Sequence, residues 1–92
     1  MSEYIEISTE DGDDNDSLYI LTNLQLTEGK VEEYISQGAM ELGSPVAQAL
    51  SAVSGLCFIR LDQGDIYVRR EPDADWHGII EDITAALKDF FL

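Results

Sequence analysis

The chain has 92 residues, 45% of them apolar, and sets 19 acidic against 5 basic side chains for a formal net charge of −14. That length and apolar share suit a single domain over residues 1–92 and exclude a disordered chain. So acidic a surface repels nucleic acid and anionic lipid, which are held through Lys and Arg, and leaves basic partners, cations or plain solubility as its uses.

Tyr4-Ile5-Glu6-Ile7-Ser8 alternates with period two and predicts a strand with Ile5 and Ile7 on one face. The run Glu10-Asp11-Gly12-Asp13-Asp14-Asn15-Asp16 reads as a polar loop, and Ser17-Leu18-Tyr19-Ile20-Leu21-Thr22 as a second strand paired with the first. Residues 28–43 are ambiguous: Val31, Tyr34 and Ile35 fit a short helical stripe, but Gly29, Gly38 and Gly43 punctuate it. Ser44-Pro45 then marks a helix start, a capping hydroxyl followed by proline where a missing N–H is harmless. Val46, Ala49, Leu50 and Val53 follow at helical spacing, with Gly55 as the expected terminator.

Leu56 to Leu61 and Ile66 to Arg70 predict a second hairpin turned by Asp62-Gln63-Gly64-Asp65. Strict alternation turns Cys57, Ile59, Leu61, Ile66 and Val68 inward and leaves Phe58, Arg60, Tyr67 and Arg69 on the opposite face, with Tyr4 a further candidate there. Glu71-Pro72 stops the strand, and Asp73 or Asp75 caps a last helix. Trp76, Ile79, Ile80, Ile83, Leu87, Phe90 and Phe91 fall on one side of it at helical period.

The order of elements and their local wording resemble a known family. Ser44-Pro45-Val46-Ala47-Gln48-Ala49-Leu50 is similar to the Ser-Pro-Leu-Ala-Gln-x-Leu helix start of the N-terminal domain of the Nfu/NifU-like iron–sulfur scaffold proteins. Val53-Ser54-Gly55-Leu56 resembles that domain's helix-to-strand turn, and Asp65-Ile66-Tyr67-Val68 its Phe-Ile-Thr-Val strand. Asp75-Trp76, with Ile79-Ile80 and Ala85-Ala86-Leu87, resembles its Asp-Trp-x-x-Leu terminal helix. The first half departs from the pattern: where the family has Thr-Pro-Asn-Pro-Asn before its Ser/Thr-Leu, this chain has Gly12-Asp13-Asp14-Asn15-Asp16 before Ser17-Leu18.

The resemblance implies an α+β fold of two layers, a sheet with helices on one face, in the order βββ-α-ββ-α, with a short strand near Lys30 to Ile35. It also implies a part in iron–sulfur cluster assembly or delivery. In the family a separate Cys-x-x-Cys domain holds the cluster, and these residues contain no Cys-x-x-Cys. The expected role is therefore a non-enzymatic accessory that docks a scaffold or client protein. Iron or a cluster would reach it through that partner. An analogy of fold carries that role, not a catalytic constellation.

The residues that could carry other chemistry are few. Cys57 is the single thiol, too little for an iron–sulfur or zinc site, and reads as a small core side chain. A lone thiol makes no internal disulfide, and no basic-then-apolar leader or membrane-length apolar run is visible, which together point to the cytoplasm. His77, the single histidine, reads as an exposed helix residue, with no nucleophile and base pair or phosphate loop in sight.

Asp11, Asp13 and Asn15 begin like a calcium loop, but Asp16 stands where glycine is needed and Thr22 where glutamate is, so an EF-hand is excluded. Weak divalent-cation or iron handling by Asp11, Asp13, Asp14 and Asp16 is the rival expectation. Phe58, Arg60, Tyr67 and Arg69 are the candidate partner surface, since aromatics beside arginine dominate binding hot spots. Their plain alternative is a solvated sheet face with ordinary cross-strand pairs.

Overall fold

The computed structural model describes residues 5–92. In chain order the elements are β1 (Ile7–Asp11), β2 (Ser17–Thr22), β3 (Glu32–Tyr34), α1 (Gln37–Glu41), α2 (Pro45–Leu50), β4 (Leu56–Asp62), β5 (Asp65–Arg70) and α3 (Trp76–Phe91). The strands form one five-stranded antiparallel sheet in the order β1-β2-β5-β4-β3. This is the expected α+β architecture with one addition, the short α1. The ambiguous stretch divides into β3 and α1, so Val31, Tyr34 and Ile35 do not form a helix. The first strand lies further on than its alternation suggests, taking in Glu10 and Asp11, while Tyr4 lies outside the described residues.

Local chemistry sets the helix starts. The Ser36 hydroxyl accepts from the Ala39 N–H at 3.1 Å, and the Ser44 hydroxyl from the Ala47 N–H at 3.3 Å. The Asp75 carboxylate accepts from the N–H groups of His77 and Gly78 at 3.3 and 3.2 Å, satisfying donors that a helix start leaves orphaned. Gly55 does not end α2, which closes at Ser51 instead. It heads β4 at φ +89°, where any Cβ would come within 2.8 Å of the Ala74 methyl.

One face of the sheet carries the core. Ile20, Ile59, Leu61, Ile66 and Val68 are fully buried in a cluster with Met40, Leu50, Ile83 and Leu87 from the helices. Burying each such side chain stabilises the fold by about 1.5–3 kcal/mol. The α3 stripe is narrower than its period suggests. Ile79, Ile83 and Leu87 are buried, Trp76 and Phe91 pack at its ends, and Phe90 is 44% exposed.

Alternation also fails at Cys57. A β-bulge sits between Leu56 and Phe58, so Leu56 pairs with Arg70 and Phe58 with Arg69. A bulge leaves one residue unpaired and lets its neighbours keep their faces. Leu56 therefore takes the core position, and Cys57 is only half-buried.

Candidate partner-binding face

The face of the sheet away from the helices is built by register. Cross-strand partners run Glu10 to Tyr19, Tyr19 to Tyr67, Tyr67 to Arg60 and Arg60 to Glu33, one row through all five strands. Within it the Tyr19 and Tyr67 rings lie 5.1 Å apart between centroids. The Arg60 guanidinium carbon sits 4.9 Å above the Tyr67 ring, and Arg60 Nη1 reaches Glu33 Oε2 at 3.8 Å. Phe58 packs edge-on to Tyr67 at 6.0 Å. Tyr67 is 8% exposed, so it is the floor of this face, and Phe58, Arg60 and Tyr19 stand around it.

The acidic loop grips the end of the sheet from both sides. On the open side, Asp13 Oδ2 accepts from the Tyr67 hydroxyl at 3.2 Å. Arg69 donates through Nη1 to the Tyr67 oxygen at 3.0 Å and through Nη2 to Asp14 Oδ2 at 3.1 Å. On the helix side, Arg70 Nε donates to Asp16 Oδ1 at 3.2 Å, and Arg70 Nη1 to the Ala74 carbonyl at 2.9 Å. The Trp76 indole N–H donates to the Asn15 carbonyl at 2.8 Å.

These contacts set the local electrostatics. A hydrogen bond from the Asp16 backbone, with the Arg69 guanidinium second, holds the Asp14 carboxyl below its ordinary 3.8. Hydrogen bonds to Tyr67 and then to Asp14 push the Arg69 guanidinium further up. The two sets of residues that stand apart in the sequence, the loop aspartates and the hairpin's aromatics and arginines, thus form one network. Asp11 is the exception: it lies in β1 and is exposed. Among the described residues no three His, Cys, Asp or Glu side chains gather as a metal site would require.

Cys57 and His77 lie outside this network. The Cys57 thiol donates weakly to the Arg69 carbonyl at 3.5 Å. Desolvation by burial, then the Glu71 charge, pushes it up from 9.0. His77 is exposed and meets Glu81 one helical turn away at 3.1 Å. Tyr19 and Glu33 belong to the open side, and Ile35 follows β3 at its edge; the sequence does not single them out. The signal for Tyr19 was its place opposite Ile20 in the alternation of β2, and for Glu33 and Ile35 it awaited the position of β3.

An α+β protein with helices over one sheet face and aromatics with arginine on the other is thus what the fold defines. The sequence model of the family described as scaffold protein Nfu/NifU N terminal matches residues 7–92, and the chain belongs to that family. Membership connects it with iron–sulfur cluster assembly. Among solved structures, the crystal structure of protein SAV1430 from Staphylococcus aureus matches with a TM-score of 0.72 at 17% identity, over 89% of this chain and 98% of that chain. At that identity the likeness is one of fold. No curated protein matches the chain. Among the described residues no helix is long and apolar enough to cross a membrane.

Proposed function

We propose that this chain is a docking module of iron–sulfur cluster assembly, with no catalysis of its own, which binds a scaffold or client protein through the open sheet face. The observation that carries the reading is the half-buried cluster of Tyr19, Phe58 and Arg60 braced on a buried Tyr67. A rigid aromatic floor with an arginine stacked on it offers contact area at little entropic cost, as binding hot spots do. Family membership supplies the cluster-assembly context. The charge of −14 supports a protein partner over nucleic acid or a lipid surface.

The rival expectation, cation or iron handling by the acidic loop, loses support from the same contacts. Asp13, Asp14 and Asp16 already accept from Tyr67, Arg69 and Arg70. A cation there would compete for carboxylates that already face Tyr67 and two guanidinium cations.

The test is affinity capture with the immobilised chain beside a Phe58→Ser variant whose circular dichroism matches the parent. Recovery of a Cys-x-x-Cys scaffold or a cluster-bearing client by the parent, and its loss in the variant, is expected. Equal recovery by both would remove the open face from the function.

A further inference from the structure

Building on the docking reading, we infer that the occupant of the open face is a basic segment of another protein that lays an apolar side chain against Phe58 and Ile35. Three features of this face lead there, beginning with its apolar content. Ile35 is 78% exposed and Val31 54% exposed, flanking β3 at alternate positions with Glu33 between them. Glu33 pairs with Arg60 on the open side, and Val31 and Ile35 lie just outside the two ends of β3 at that edge of the sheet. Ile35 follows Tyr34, whose partner is Ile59, and so leaves β3 at the end nearest Phe58. Exposed aliphatic side chains thus flank the edge strand that borders the aromatic floor.

The second feature is charge. The cations of this face are already matched, Arg60 by Glu33 and Arg69 by Asp14. Exposed carboxylates remain around it: Glu10 beside Tyr19, Asp65 beside Leu21, and Asp13 beyond Tyr67. With Arg60 and Arg69 each paired to a carboxylate, the aromatic centre is ringed by an excess of negative charge, the complement of a basic segment with an apolar anchor.

The third feature excludes the nearest alternative. A second copy of the chain would bring the same acidic rim against itself, within a molecule of net charge −14. Like charges juxtaposed across an interface oppose it, and an acidic edge is a common guard against self-pairing.

The probe is a synthetic peptide of alternating lysine and leucine, titrated into isotope-labelled protein while backbone amide shifts are followed. Two control peptides carry glutamate for lysine or serine for leucine. Saturable shifts centred on Tyr19, Glu33, Ile35, Phe58 and Tyr67 are expected with the first peptide alone. Affinity should fall about tenfold on raising the salt, since exposed charges are screened beyond a Debye length. It should fall similarly in a Glu10→Gln, Asp65→Asn double variant.

Equal binding of either control peptide, or shifts confined to the helix side, would overturn the inference. So would concentration-dependent shifts at these residues without peptide, which would make a second copy the occupant. If Phe58-dependent capture of a cluster scaffold or client succeeds while the lysine–leucine peptide fails, docking stands and the basic occupant falls. If both fail, the docking reading falls with it.

Discussion

The indole N–H of Trp76 donates to the backbone carbonyl of Asn15 at 2.8 Å, and this bond fastens the first turn of α3 to the loop between β1 and β2. The Arg70 guanidinium lies over the same indole, 5.2 Å from its centroid, while bonded to Asp16. One arginine and one tryptophan therefore tie together a loop, a strand end and a helix start that lie far apart in the chain.

Trp76→Phe keeps the ring stack but removes the indole donor. It should cost about 1 kcal/mol of stability, the usual worth of one hydrogen bond. Asn15→Ala leaves the carbonyl in place and should stay within about 0.5 kcal/mol. Urea unfolding of the two variants checks the contrast, and equal losses would refute the assignment of the bond.

Acid should loosen the loop before it unfolds the core. The folded Asp14 carboxyl is held below its ordinary 3.8. A depressed carboxyl adds stability above its unfolded value and loses it as pH falls through the folded one. The stability of the parent should therefore drop below about pH 4 more steeply than that of Asp14→Asn. Unfolding midpoints measured from pH 6 down to pH 2 test this; parallel curves would discard the Asp14–Arg69 link.

The Cys57 thiol should be slow to react. Desolvation by burial and the Glu71 charge push it up from 9.0, so at neutral pH almost none is thiolate. Thiol labelling at pH 7 should run well below the rate in denaturant. Equal rates folded and unfolded would contradict its half-buried place at the bulge.

The α3 stripe makes a graded prediction. Ile83 is fully buried, and Ile83→Ala should cost about 2–5 kcal/mol through lost contacts and a cavity. Phe90, 44% exposed, should lose less than about 1.5 kcal/mol on the same change. Chemical unfolding of both variants separates the core stripe from the flank, and a larger loss at Phe90 would overturn the placement.

Calorimetry with calcium, ferrous iron and manganese should show no saturable heat, because Asp13, Asp14 and Asp16 are engaged by Tyr67, Arg69 and Arg70. Saturable binding that vanishes in Asp13→Asn would reinstate the cation reading.

Much of the fold was legible from local signals. The limits of β2, the Ser44-Pro45 helix start, the second hairpin and α3 follow from alternation, capping chemistry and helical period. The boundaries that moved did so where tertiary pairing decides: β1 is shifted along the chain by its register with β2, and β3 exists because Glu32–Tyr34 completes the edge beside β4. The bulge at Cys57 was hidden for a related reason, since one inserted residue changes which side chains face the core without changing composition.

The candidate face divides in the same way. Phe58, Arg60, Tyr67 and Arg69 could be placed on one side of a hairpin from period two, because a strand's geometry is local. That Asp13 and Asp14 reach across to Tyr67 and Arg69 depends on a contact spanning more than fifty positions in the chain. The amino-acid sequence alone determined which side chains would be apolar, capped or extended, because those preferences act over a few neighbouring residues. Only the folded sheet decided which acids meet which arginines, because cross-strand register is fixed by how the whole core packs.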